Sequence, residues 1–182
     1  TENILQGRPA RLAISPQILS YSTLAESSSP LMIGATESHR SGKDASSMGL
    51  EGGCYCGRLR YLAEGKPLMK GQCHCRPCQY ASGGAPNLFM LMPAWGFSWT
   101  RGTPDRFARA DLEGPATREF CATCGTHVAN RPAGLSGVVL KVGTLDDPDV
   151  FRAPRVAMFT GQRRAFHHVP DGVTAFEGMP AG

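Results

Sequence analysis

Seven cysteines are the residues of this chain most able to do chemistry, and all of them lie between Cys54 and Cys124. They fall into three groups: Cys54-Tyr55-Cys56, Cys73-His74-Cys75-Arg76-Pro77-Cys78, and Cys121-Ala122-Thr123-Cys124-Gly125. An odd number of cysteines cannot complete a disulfide framework. No basic-then-apolar export signal opens the chain, and C-x-C and C-x-x-C spacings without one read as metal ligands in a reducing, cytoplasmic compartment. Cys121 and Cys124 have the spacing of a zinc knuckle, in which two thiolates on a tight turn reach one ion and a following glycine permits positive φ. Four thiolates close a tetrahedral zinc, whereas three leave one position open, as a catalytic zinc requires. Seven divides as four plus three. Two partitions satisfy that division. In one, Cys75 and Cys78 join Cys121 and Cys124 in a long zinc ribbon. In the other, Cys54, Cys56, Cys121 and Cys124 form the tetrad, and the Cys73-Cys75-Cys78 run wraps a single ion. Spacing alone leaves both open.

The elements that must position these ligands read as short strands. Arg58–Leu62 alternates polar and apolar, and Asn87–Met92 is a more buried run. Phe97–Trp99, Arg118–Phe120, Thr126–Ala129, Gly137–Val142 and Val156–Phe159 follow, separated by turns. Phe166–Val169 and Val173–Phe176 flank Pro170-Asp171-Gly172, a good turn sequence. Amphipathic helical stretches are missing between them, so the predicted class is all-β or β-rich. Phe89, Trp95, Phe97 and Trp99 are expected in the core. Residues 1–47 are serine-rich and lack cysteine, and they read as a disordered extension or non-native leader ahead of a domain at 48–182. The net charge of +4 comes from 19 bases against 15 acids, too mild for a nucleic-acid footprint. No apolar run approaches the ~20 residues of a membrane span.

Gly52-Gly53-Cys54-Tyr55-Cys56-Gly57, Cys73-His74-Cys75-Arg76-Pro77-Cys78, Ser82-Gly83 and Phe120-Cys121-Ala122-Thr123-Cys124-Gly125-Thr126 together resemble the glutathione-dependent formaldehyde-activating enzyme family, which includes centromere protein V. The resemblance implies a β-tent-like fold of small antiparallel sheets around two zinc ions per chain. It implies that Cys54, Cys56, Cys121 and Cys124 hold a structural zinc, and Cys73, Cys75 and Cys78 a catalytic one. The implied activity is a carbon–sulfur lyase of the S-(hydroxymethyl)glutathione synthase kind, handling adducts of a small thiol such as glutathione with formaldehyde or another aldehyde. The alternative is a non-catalytic zinc-binding interaction module. Gln79-Tyr80 stands where many members carry a basic pair, which leaves the identity of the thiol open. His74 is expected to point away from the ion, and neither His127 nor the His167-His168 pair is expected to act in catalysis. Tyr80, Ser82 and Asn87 are candidate substrate contacts. No oligomeric state follows from the sequence.

Overall fold

A computed structural model of the chain describes residues 49–180; the expectation for residues 1–47 lies outside them. The described chain is β-rich, as its segment pattern predicts, with one short helix. The strands are β1 (Leu50–Gly53), β2 (Arg60–Ala63), β3 (Met69–Cys73), β4 (Asn87–Pro93), β5 (Phe97–Arg101), β6 (Asp105–Phe107), β7 (Thr117–Phe120), β8 (His127–Arg131), β9 (Gly137–Lys141), β10 (Val156–Met158) and β11 (Thr174–Ala175). Helix α1 (Arg76–Ala81) lies between β3 and β4. Strands β1, β2 and β5 form an antiparallel sheet. The other eight form a second sheet in the order β11-β10-β3-β4-β9-β8-β7-β6. This larger sheet is mixed, because β10 runs parallel to both β3 and β11.

Strand β4 explains the layout. Its run Leu88-Phe89-Met90-Leu91-Met92 is apolar at successive positions, as in a strand covered on both faces. Met90 and Met92 point into the main core with Tyr61, Ala63, Val128, Val138 and Leu140. Phe89 and Leu91 point the other way, into a smaller cluster with Met69, Val139, Met158, Cys73, Cys75 and Cys78. Cys54 and Cys121 belong to the main core. Side chains alternate across a strand, so the two cysteine populations occupy opposite faces of the β4–β9 sheet.

Two features depart from the sequence expectation. Trp95 is 79% exposed rather than in the core, because the 3₁₀ turn at Ala94–Gly96 breaks the strand period before β5. The turn at Pro170-Asp171-Gly172 forms, closed by Val173 N–H on Pro170 O, but Phe166–Val169 before it is not a strand, and after it only Thr174–Ala175 pairs, with β10. The competing interaction is local, since the Arg164 backbone N–H donates to His167 Nδ1 at 3.2 Å and turns that segment inward. No helix among the described residues is long and apolar enough to cross a membrane.

Candidate metal centres

The structure draws the cysteines together in two groups. The ligand atoms of Cys54, Cys56, Cys121 and Cys124 all lie within 4.8 Å of one another, and so do those of Cys73, Cys75 and Cys78. Both groups could hold a metal ion. Sulfurs about 2.3 Å from a tetrahedral zinc stand about 3.8 Å apart. Cys54 and Cys56 have Sγ atoms 3.5 Å apart, and Cys56 and Cys121 3.8 Å. The all-sulfur donor sets and this spacing are compatible with zinc. All seven thiols are free of disulfides.

Each half of the tetrad sits on a turn that its own backbone closes. The Cys54 N–H donates to Leu59 O at 3.1 Å, and the Leu59 N–H donates back to Cys54 Sγ at 3.2 Å. In the second turn the Cys121 N–H donates to Thr126 O and the Gly125 N–H to Cys121 O. Gly57 and Gly125 take φ of 75° and 71°, which these turns require and which a side chain would oppose. The Thr126 hydroxyl lies 3.2 Å from Cys124 Sγ, and with the Thr126 backbone it draws that thiol down to about 5.

The triad comes from a single stretch, the end of β3 and the first turn of α1. Pro77 is accommodated there because the first-turn N–H groups have no intrahelical acceptor. Hydrogen bonds from Cys73 and Cys78 pull the Cys75 thiol down to about 3, with help from the Cys78 backbone and the Arg118 charge. The same contacts, together with burial, push Cys73 up. Three thiols this close share their protons, and a bound cation would take the place of those protons.

Gln79 proves to be part of the scaffold, a role its spacing does not reveal. It is buried, and its Nε2 donates to His74 O at 2.7 Å and to Gln162 O at 2.9 Å. Its Oε1 accepts from Arg76 at 3.1 Å and from Arg164 at 3.2 Å. An amide both donates and accepts, which a lysine or arginine at this position could not do. His74 stays outside the sulfur group, as expected, and its Nδ1 lies 3.0 Å from His167 Nδ1. Because His167 Nδ1 accepts from Arg164 N–H, its Nε2 carries the proton and donates to Gly84 O at 2.8 Å. His74 Nδ1 is then the donor to His167. These bonds tie the triad loop to the segment from Gln162 to His168.

Of the candidate substrate contacts, Ser82 is consumed by its own turn, its hydroxyl shared between Cys78 O and Ala85 O, each at 2.6 Å. Asn87 is buried and accepts from Lys141 Nζ at 2.6 Å. Tyr80 is exposed, and the Arg76 guanidinium lies 4.1 Å from its ring centroid. The two side chains line a cavity of about 420 Å³ together with Phe107, Arg109, Leu112 and Arg118. Burial pushes Lys141 down to about 8 and His127 to about 4, the latter also under the charge of Lys141.

A family model described as glutathione-dependent formaldehyde-activating enzyme matches residues 49–162. The search of curated proteins gives no match. Among solved structures, the chain is similar to the crystal structure of a Rhodobacter sphaeroides protein, with a TM-score of 0.42 and 18% identity over 53% of this chain and 87% of the other.

Proposed function

The chain belongs to the glutathione-dependent formaldehyde-activating enzyme family, and from that premise we propose that it is a zinc-dependent carbon–sulfur lyase joining a small thiol to formaldehyde or another aldehyde. In this reading Cys54, Cys56, Cys121 and Cys124 hold a structural zinc, and Cys73, Cys75 and Cys78 hold the catalytic one. The observation that carries it is the unequal division of sulfur, four against three, with no further His, Cys, Asp or Glu joining the triad among the described residues. A zinc ion with three thiolate ligands offers one exchangeable position and lowers the pKa of a thiol bound there. The reaction makes one carbon–sulfur bond: the thiol sulfur attacks the aldehyde carbon, and its proton ends on the carbonyl oxygen, giving the hydroxymethyl thioether. Cleavage is the reverse. Thiols add to formaldehyde unaided, so positioning and thiolate capture suffice.

The residues around α1 support an anionic thiol such as glutathione. Arg76 and Arg118 bring two guanidinium groups to one cavity, where Arg109 is already paired with Asp111, and guanidinium pairs with carboxylate in a two-point fork. That charge stands in for the basic pair replaced by Gln79-Tyr80. Arg118 also donates to Pro77 O at 3.1 Å, which joins the cavity wall to the triad loop. Seven reduced thiols suit a cytoplasmic setting, which belongs to the same proposal. The test is the rate of adduct formation and cleavage for glutathione with formaldehyde, followed by NMR on zinc-loaded protein. Acceleration that Cys75→Ser abolishes is the expected result. Zinc-loaded protein that accelerates no thiol–aldehyde adduct overturns the reading.

A further inference from the structure

Lys141 is a buried ammonium with no carboxylate to pair with. It is 8% exposed, and among the described residues no Asp or Glu oxygen lies within ion-pair distance of it. Among the described residues its ammonium donates to Asn87 Oδ1. Such a charge is costly to bury unless an anion compensates it.

Its position in the sheet indicates which anion. Lys141 ends β9 opposite Phe89 of β4 and shares a strand face with Val139, which packs against the cluster containing Cys73, Cys75 and Cys78. Asn87, its acceptor, sits opposite Cys73 in the β3–β4 register. A cation held by those three sulfurs would keep them as thiolates, the anionic groups on this face of the sheet, whereas Arg118 brings only further positive charge towards Lys141.

Three thiolates around a divalent ion leave a net negative charge, and a fourth thiolate deepens it. We infer that the Lys141 ammonium, held in place by Asn87, is a positioning residue: it supplies the fixed positive charge that lets an incoming thiolate join the triad. The inference rests on the proposed reading of the triad as an open metal site.

The experiment uses the full chain loaded with Co²⁺, whose sulfur-to-metal charge-transfer absorption reports thiol binding independently of turnover. The probe is 2-mercaptoethanol, which has no carboxylate for the arginine cavity to recognise. Lys141→Gln keeps a donor for Asn87, Lys141→Met removes it, and Lys141→Arg keeps the charge. The neutral variants are expected to bind the thiol at least about tenfold more weakly at pH 7, equivalent to a shift of about one pKa unit. Lys141→Arg is expected to stay within about threefold of the unaltered protein. Metal content and circular dichroism identify the folded variants, and either neutral variant that folds decides the question. Equal affinity in a folded neutral variant overturns the role of Lys141 while leaving the open site intact. Absence of a thiol-dependent band in the unaltered protein overturns both.

Discussion

The two cysteine groups use the same donor atom but are built in opposite ways. The tetrad joins turns distant in sequence: Cys56 and Cys121 are 65 residues apart, one at the end of the three-stranded sheet and the other between β7 and β8 of the larger one. The triad is confined to the end of β3 and the first turn of α1. An ion at the tetrad would close a long loop and clamp two sheets, so its loss would release chain entropy that the domain must otherwise overcome. An ion at the triad would close nothing long. The surroundings differ in the same sense. Backbone N–H groups and a threonine hydroxyl receive the tetrad sulfurs, whereas the triad faces a buried lysine and Arg118. Topology and neighbouring charge, rather than ligand type, distinguish the two groups, which is the basis of the scaffold and catalytic roles proposed for them.

The strongest way to break this comparison is to remove one sulfur from each group. Structural zinc binding is worth about 10–16 kcal/mol in small zinc domains, against a typical net domain stability of about 5–15 kcal/mol. Cys121→Ser is therefore expected to lose its cooperative thermal transition. Cys75→Ser is expected to keep it and, if both groups bind zinc as proposed, to bind one zinc ion fewer than the unaltered protein. Thermal denaturation with metal analysis measures both; equal loss of folding in the two variants would remove the distinction.

A smaller effect sharpens the triad side. Gln79→Leu leaves His74 O and Gln162 O without their donor and strips Arg76 and Arg164 of an acceptor. Only His74 O is a fully buried partner, and a buried group left unpaired costs about 1–3 kcal/mol, so urea denaturation is expected to show a loss of about 1–3 kcal/mol. Chelator titration is expected to show the triad metal released earlier while the tetrad metal is retained. Loss of both metals together would mean that the two groups are not energetically separate.

Cysteine spacing makes the two groups legible in the sequence because cysteine is rare and its ligand motifs are short. The strands with clear alternation are legible for a similar reason. Strands β1 and β3 escape such a reading because glycines interrupt them: a Cβ at Gly71 would come within 2.8 Å of the Phe89 ring, and one at Gly52 would overlap the Tyr61 hydroxyl. Those glycines record close approach between strands, not turns. Helix α1 is hidden because it begins inside a metal motif and lasts barely more than a turn. The supporting polar groups are hidden by distance along the chain. Lys141 and Asn87 are 54 residues apart, and His74 and His167 are 93 apart. No local pattern connects them; only the folded sheet does.

His127 lies where the two regions meet, at the start of the strand leaving the tetrad turn and under the charge of Lys141. Burial chiefly holds its pKa at about 4, below the ordinary 6.5, while its contact with Asn130 at 2.6 Å pulls the other way. A depressed folded-state value means that the unfolded chain takes up the proton first as pH falls. The stability tied to His127 is therefore fully present above pH 6.5 and is lost between there and about pH 4. Because the ring is partly open to solvent, the loss is expected to be about 1–2 kcal/mol rather than the full linkage value. Metal release at low pH also destabilises the protein, so the quantity to measure is the difference in urea midpoint between the unaltered protein and His127→Gln across that range. A converging difference is the expected result, and Lys141→Gln should raise the His127 pKa as followed by NMR. If the His127 pKa does not move when that charge is removed, the positive field assigned to the triad face does not reach β8, and the electrostatic half of the comparison fails.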